Sequence, residues 1–260
     1  MEKPIPPAIP AATIMLLRDG EQGLEVFMVV RHHQIDFASG ALVFPGGKVD
    51  AQDTEPSVLA RLAAYEGATP GQSELRAAAV REAFEESGIL LARGRAQGEL
   101  PKDDQLARWR DGLNDKSLRL GELLEAGDLM VSCDNLIHFA HWITPTFMPK
   151  RFDTHFYLAR VPEAQIAGHD GYENVDSVWI TPRQVMADAH AGTRTVIFPT
   201  LSNVVKLAQY DSVAAAFEGT RRSPVVPILP WTEQREDGRY VCIPTDAGYT
   251  LTEHKAAGPA

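Results

Sequence analysis

Cysteine is scarce in this 260-residue chain: Cys133 and Cys242 stand far apart, with no Cys-x-x-Cys spacing. That argues against a thiolate metal site and fits a reducing compartment. No apolar run approaches the roughly 18 residues of a membrane span. The opening MEKPIPPAIP has neither the apolar core of an export signal nor an arginine-rich transit pattern. The closing GPA is no peroxisomal or retention address, so a cytoplasmic location and no membrane partner are expected. Basic residues are also in deficit. A net charge of −10 opposes general nucleic-acid binding, which rests on cationic surface. A small anionic ligand stays compatible, because a metal ion and a few arginines can reverse the field within one cleft. There is no G-x-S-x-G element for a serine nucleophile.

What is present reads as one α/β domain. The runs at 12–18 and 24–31 flank DGEQG and predict a β-hairpin, after four prolines that predict an extended arm. GALVFPGGKVD (40–50) predicts a short strand running into a Pro-Gly-Gly turn. A short amphipathic helix is expected over 56–66 and a second from Ser73 to Ser87, with Gly88 at its C′ position. ILLA (89–92) reads as a strand, and 103–126 as a charged helical insertion or cap. Strands are expected at 135–145, 151–161 and 177–181, helices at 182–191 and 199–218, and a last hairpin around Asp237-Gly238.

The chemistry concentrates in VREAFEESGI, residues 80–89. At 100° per residue Glu82, Glu85 and Glu86 share an arc of about 100°, with Glu74 at its edge. Ala77, Val80 and Phe84 lie opposite, on the face expected to be buried. Like charges so spaced destabilise a helix unless a cation joins them. Oxygen donors without histidine or thiolate favour Mg²⁺ or Mn²⁺ over zinc. A solvated acidic helix would explain three glutamates alone, but not the rest of the pattern.

FPGGKVD (44–50) followed by REAFEESGI (81–89) resembles the Nudix hydrolase signature, G-x5-E-x7-R-E-U-x-E-E-x-G-U, where U is aliphatic. Arg81, Glu82, Glu85, Glu86, Gly88 and Ile89 match it, while Ala83 is smaller than usual. Thirty-four residues separate Gly47 from Arg81 instead of fourteen. The position eight before Arg81 is Ser73, so the first signature glutamate is missing there and Glu74 is its nearest substitute. A long insert of this kind is similar to the coenzyme A diphosphatase branch of the family. ASGALVFPGG, WITPTFMPKRFDTHFYLA (142–159) and YENVDSVWITP (172–182) fit that branch as well.

The resemblance implies an α/β/α Nudix sandwich with a mixed sheet. Its core would span about 10–200, with inserts at about 51–72 and 95–128 and a C-terminal extension at about 200–260. It implies metal-dependent hydrolysis of a nucleoside diphosphate linked to another moiety, and admits a homodimer. Glu82 and Glu86 would be metal ligands, with Glu85 a further ligand or the general base. Glu173 is the base candidate outside the motif, with Asp176 behind it. Arg81 would orient a carboxylate or touch phosphate. Gly46 and Gly47 would let the backbone approach the metal, and either could offer a carbonyl.

Lys150 and Arg151 are either a surface pair or a phosphate or adenosine contact; Arg31 is a weaker candidate of that kind. His32-His33 and His138/His141 lack a third ligand at metal-site spacing. Trp142, Trp179 and Phe198 are read as core residues. Coenzyme A or acyl-coenzyme A is the first substrate expectation, although Asp36 replaces an arginine of the branch's upstream pattern. An ADP-sugar, a dinucleotide polyphosphate, a nicotinamide dinucleotide or a non-catalytic ligand sensor are the alternatives.

Overall fold

Two apolar registers alternate along the first long strand, so it has to be covered on both sides. Ala12, Ile14 and Leu16 enter one core cluster, and Met15 and Leu17 the other. In the computed structural model residues 4–31, 40–62, 71–95, 100–171 and 173–256 are described. The expectations at His32, His33 and Asp36 lie outside them. The helix expected over 56–66 ends early, at Leu59, and Leu62 instead bridges to Val131; residues 63–66 lie outside the described ones.

The predicted hairpin is β1 (Ala8–Gly20) and β2 (Gly23–Arg31). The proline-rich arm thus enters the sheet as the head of β1. Then come β3 (Leu42–Val43), β4 (Gly46–Lys48), a 3-10 turn at Ala51–Thr54 and α1 (Pro56–Leu59). The motif helix is α2 (Gln72–Ser87), ended by Gly88 at φ 77°. Ile89-Leu90-Leu91 is not a strand. It is buried coil held by Gln165, whose side chain bonds both Leu90 N and Leu90 O (2.8 and 3.0 Å). Only Ala92–Gly94 pairs, as β5, with β6 (Leu129–Val131).

The charged segment between them forms α3 (Asp103–Asn114) and α4 (Leu120–Ala126). β7 (Ile137–Ile143), β8 (Arg151–Arg160) and β9 (Asn174–Ile180) fall where expected, followed by α5 (Pro182–Ala191). The helix expected at 199–218 is two, α6 (Phe198–Leu207) and α7 (Val213–Arg221). Ser212 caps the second, and Val213 N donates to the Asp19 carboxylate at 2.8 Å, which restarts the chain in a new direction. The last strands are β10 (Pro227–Ile228), β11 (Trp231–Arg235), β12 (Gly238–Cys242) and β13 (Glu253–Lys255); β11 and β12 make the predicted hairpin.

The main sheet runs β10-β7-β8-β1-β2-β3, with β4 on β1 and β9 on β2. β8 is parallel to β1 along its length. On its other edge β1 divides: Ala11–Thr13 pair with β4, and Leu17–Gly20 with β2. α2, α3 and α4 cover one face of the sheet. α5, α6, α7 and the C-terminal segment cover the other. The result is an α/β/α sandwich around a mixed sheet. No helix among the described residues is long and apolar enough to cross a membrane.

The C-terminal segment is tied into the second core by hydrogen bonds. Trp142 Nε1 donates to the Tyr249 hydroxyl (3.1 Å), which donates to Asn203 Oδ1 (2.6 Å), all buried. Removing that hydroxyl strands two buried polar groups, each costing about 1–3 kcal/mol. Tyr249→Phe is expected to lower the urea-unfolding free energy by about 2–4 kcal/mol; a change within experimental error would detach the extension from the cooperative core.

Candidate active site

Where β1 passes from β2 to β4, two glycines bring main chain against α2. Gly46 has φ 157°, and a side chain there would strike the Ala12 carbonyl and Thr13. A Cβ on Gly47 would overlap the Glu82 carboxylate. Gly46 N donates to Glu86 Oε1 at 3.3 Å. The expected close approach of backbone to glutamates is therefore present.

The glutamates are largely enclosed, with Glu86 buried and Glu82 and Glu85 half-buried. α2 is buried nearly all round: Ala77, Ala78, Ala79, Val80, Ala83 and Phe84 are inaccessible, and Arg81 and Glu86 are only 5% and 6% exposed. Burial, then the neighbouring Glu82 charge, push the Glu86 carboxyl well above the usual carboxylate range. Glu82 is raised by burial against the pull of Arg81. Burial likewise pushes Glu85 up to about 7, in spite of Arg81. Three crowded carboxylates resist ionisation together, which is the electrostatic condition a divalent cation relieves.

Arg81 is the organiser. Its Nε and Nη2 grip Asp53 at 2.9 Å each, Nη1 donates to Glu82 and Glu85 at 2.8 Å each, and Nη2 also donates to Lys48 O at 2.9 Å. These bonds occupy the five N–H groups of a guanidinium.

Asp53 was not among the expected site residues. Counted forward from Gly47 it occupies the place of the first signature acid, six residues on; counted back from Arg81 it is hidden by the insert. It is fully buried and doubly bonded to Arg81. Glu74, the expected substitute, begins α2 two turns before Glu82, about 12 Å along the axis.

Two further residues come from distant segments. Asn174 Nδ2 donates to Glu86 Oε2 at 3.0 Å. Arg110, on α3, donates to the carbonyls of Glu85 (3.0 Å), Glu86 (2.8 Å) and Gly168 (2.8 Å). It supplies cationic charge at the C-terminus of α2, where the last carbonyls of a helix lack partners within the helix. Neither carries a local sequence signal.

Arg31 lies at the rim, 4.0 Å from Glu173, and its charge acts on Glu86. Glu173 is exposed and near enough for its charge to act on Glu82. Asp176 instead accepts from Ser177 N on β9. Lys150 and Arg151 are not drawn to the glutamates by any described bond. Arg151 is buried, donating to Thr144 O (3.0 Å) and Pro6 O (2.7 Å), and Lys150 Nζ lies over Phe152. Trp142 and Trp179 pack edge-on against Phe198 and Phe27, as core residues do. His138 and His141 meet Asp153 and His155 across the β7–β8 pair, partners that linear spacing does not reveal.

Comparison with known proteins bears on the family of the chain. The family model described as the NUDT19 Nudix domain matches residues 56–207. The chain belongs to the Nudix hydrolase family. "Putative nudix hydrolase 7" of Caenorhabditis elegans is 31% identical over 78% of this chain and 62% of its own length. The chain thus spans under two thirds of that relative. "Acyl-coenzyme A diphosphatase NUDT19" of Homo sapiens is 26% identical over 88% of this chain and 73% of its own. A Nudix hydrolase crystal structure from Alicyclobacillus acidocaldarius superposes with a TM-score of 0.74 at 24% identity, covering 84% of this chain and 99% of that one. The last shows a shared fold.

Asp53→Ala leaves the Arg81 guanidinium buried without its main counter-charge. It is expected to cost about 3–5 kcal/mol of stability by urea unfolding. The proton linkage of the glutamates gives a second expectation. Glu85 sits at about 7 in the fold against 4.5 as its ordinary value, so the folded chain holds more protons between them. Stability of the metal-free protein therefore falls as pH rises from about 4.5 to about 7. In chelator, Glu85→Gln should flatten that fall by on the order of 2–3 kcal/mol; an unchanged profile would contradict the shift.

Proposed function

We propose that the chain is a divalent-metal-dependent hydrolase of the pyrophosphate bond in a nucleoside diphosphate joined to another moiety, with coenzyme A or an acyl-coenzyme A as that substrate. The convergence of Glu82, Glu85 and Glu86 on a glycine backbone, ordered by one saturated arginine, carries the reading. The coenzyme A part is supported by the names of the NUDT19 relatives. In this reading the whole chain works as one Nudix domain, with the insert starting after Asp53 instead of at 51.

Glu82, Glu86 and Glu85 would hold Mg²⁺ or Mn²⁺, since all are carboxylate donors and their mutual repulsion suits a hard cation. Such an ion neutralises charge on the pyrophosphate oxygens. Arg81 and Asp53 keep Glu82 and Glu85 in place, and the Gly46 N–H and Asn174 amide orient Glu86. Arg31, at the rim, is the cation assigned to phosphate; Arg151 is taken up by backbone carbonyls. Glu173 is assigned as general base. It is open to solvent and free of the Arg81 network, so it can accept a proton from a water attacking phosphorus.

The test is hydrolysis of a panel containing coenzyme A, an acyl-coenzyme A, NADH, ADP-ribose and a diadenosine polyphosphate, with Mg²⁺ and with Mn²⁺. Coenzyme A should yield 3′,5′-ADP and 4′-phosphopantetheine. Glu86→Gln and Glu173→Gln should each lower kcat by about 10²–10⁴, only the first also weakening metal binding. Preference for another member would discard the substrate and keep the chemistry. Metal binding without turnover of any member would make the protein a ligand sensor.

A further inference from the structure

The partly buried ionisable side chains on β7 and β8 are not used by the proposed hydrolysis. Strand residues three apart ordinarily point to opposite faces. A register shift between His138 and Ala140 removes that alternation and puts His138 and His141 on one face. Across the pair, Asp153, His155 and Tyr157 share a face by the ordinary two-residue period of β8. His141 stands opposite His155, and His138 opposite Tyr157.

Four polar side chains are thereby stacked into a compact group. The His141 and His155 rings lie 4.0 Å apart at 21°, and His138 lies 4.9 Å from His155 at 26°. His141 Nε2 contacts Asp153 Oδ1, and His155 Nε2 is 3.8 Å from the same oxygen. One ligand atom from each of His141, Asp153 and His155 lies within 4.8 Å of the other two. The histidine side chains are 16% and 13% exposed and that of Asp153 is 38% exposed, so the group is anchored below and open above.

We propose that His141, Asp153 and His155 form a second metal site, for a borderline-soft transition ion of the Zn²⁺ class, with a fourth position facing solvent. Two imidazoles and one carboxylate are a donor set suited to such an ion and poorly matched to Mg²⁺. His138 is the outer partner. Its Nε2 lies 3.0 Å from His155 Nδ1, and accepting that proton leaves the His155 Nε2 lone pair for the metal, as outer-shell bonds to ligating histidines do. The carboxylate site lies across the sheet from this group: Ala12 of β1 pairs with His155 of β8 on one side and with Gly47 of β4, against which Glu82 stands, on the other.

The experiment uses the full chain carrying Glu82→Gln and Glu86→Gln, which silences the carboxylate site, and Co²⁺ as the probe. One equivalent of Co²⁺ should give visible absorption of a four-coordinate ion, displaced by Zn²⁺ and unaffected by millimolar Mg²⁺. Adding His141→Ala and His155→Ala should abolish it, and Asp153→Asn should weaken binding at least about tenfold. A thermal melt without metal checks that each variant is folded. If the double alanine variant fails to fold, His141→Gln alone takes its place and should likewise lose the band. No Co²⁺ band in the parent, or a band unchanged in a folded histidine variant, overturns the proposal. The result is independent of whether the protein hydrolyses any nucleotide.

Discussion

The geometry of the carboxylate site depends on one buried guanidinium. Arg81 ties α2 to the 3-10 turn through Asp53, to β4 through the Lys48 carbonyl, and to two of its own helix's glutamates. Burial alone would lower its pKa, but the bond to Asp53 and the charges of Glu82 and Glu85 reverse that, so it stays protonated. A lysine could supply the charge but not five donors in a plane. The side chain that sets the direction of the glutamates also partly offsets their charge before any cation arrives.

Around that node the fold supplies two rigid surfaces. β1 is clamped by parallel β8 along one edge and divides its other edge between β2 and β4, and the Gly46-Gly47 main chain sits at the division. α2 is fixed from below by alanines and Phe84 in the core and at its C-terminus by Arg110. The α3 segment is therefore more than a cover: it completes the end of the helix that bears Glu85 and Glu86.

Much of this was legible from residue order. The hairpin, the span of α2 and its stop at Gly88 follow from local propensity and the left-handed glycine, and the glutamate cluster from helical periodicity. Ala77, Val80 and Phe84 are buried as expected. What was illegible depends on chain segments meeting. Asp53 was missed because spacing was counted back from Arg81 across an insert. Asn174, Arg110 and the partners of His141 arrive from other elements. Ile89-Leu90-Leu91 has the composition of a buried strand, and short apolar runs do not reveal their pairing. The glutamate face of α2 is enclosed by β4, Asp53 and Asn174, segments that the periodicity of one helix does not reveal.

The Asp53–Arg81 pair also has a topological meaning. It joins two points of the chain twenty-eight residues apart through paired hydrogen bonds. The entropy of closing a flexible loop grows only with the logarithm of its length, roughly 0.6 kcal/mol per doubling. The clasp therefore makes the site largely indifferent to how much chain is spliced in behind it. Residues can be added or removed there, and the surface of the molecule reshaped, while Glu82, Glu85 and Glu86 keep their positions. In this chain the signature's spacing is stretched while the closure at its base is kept.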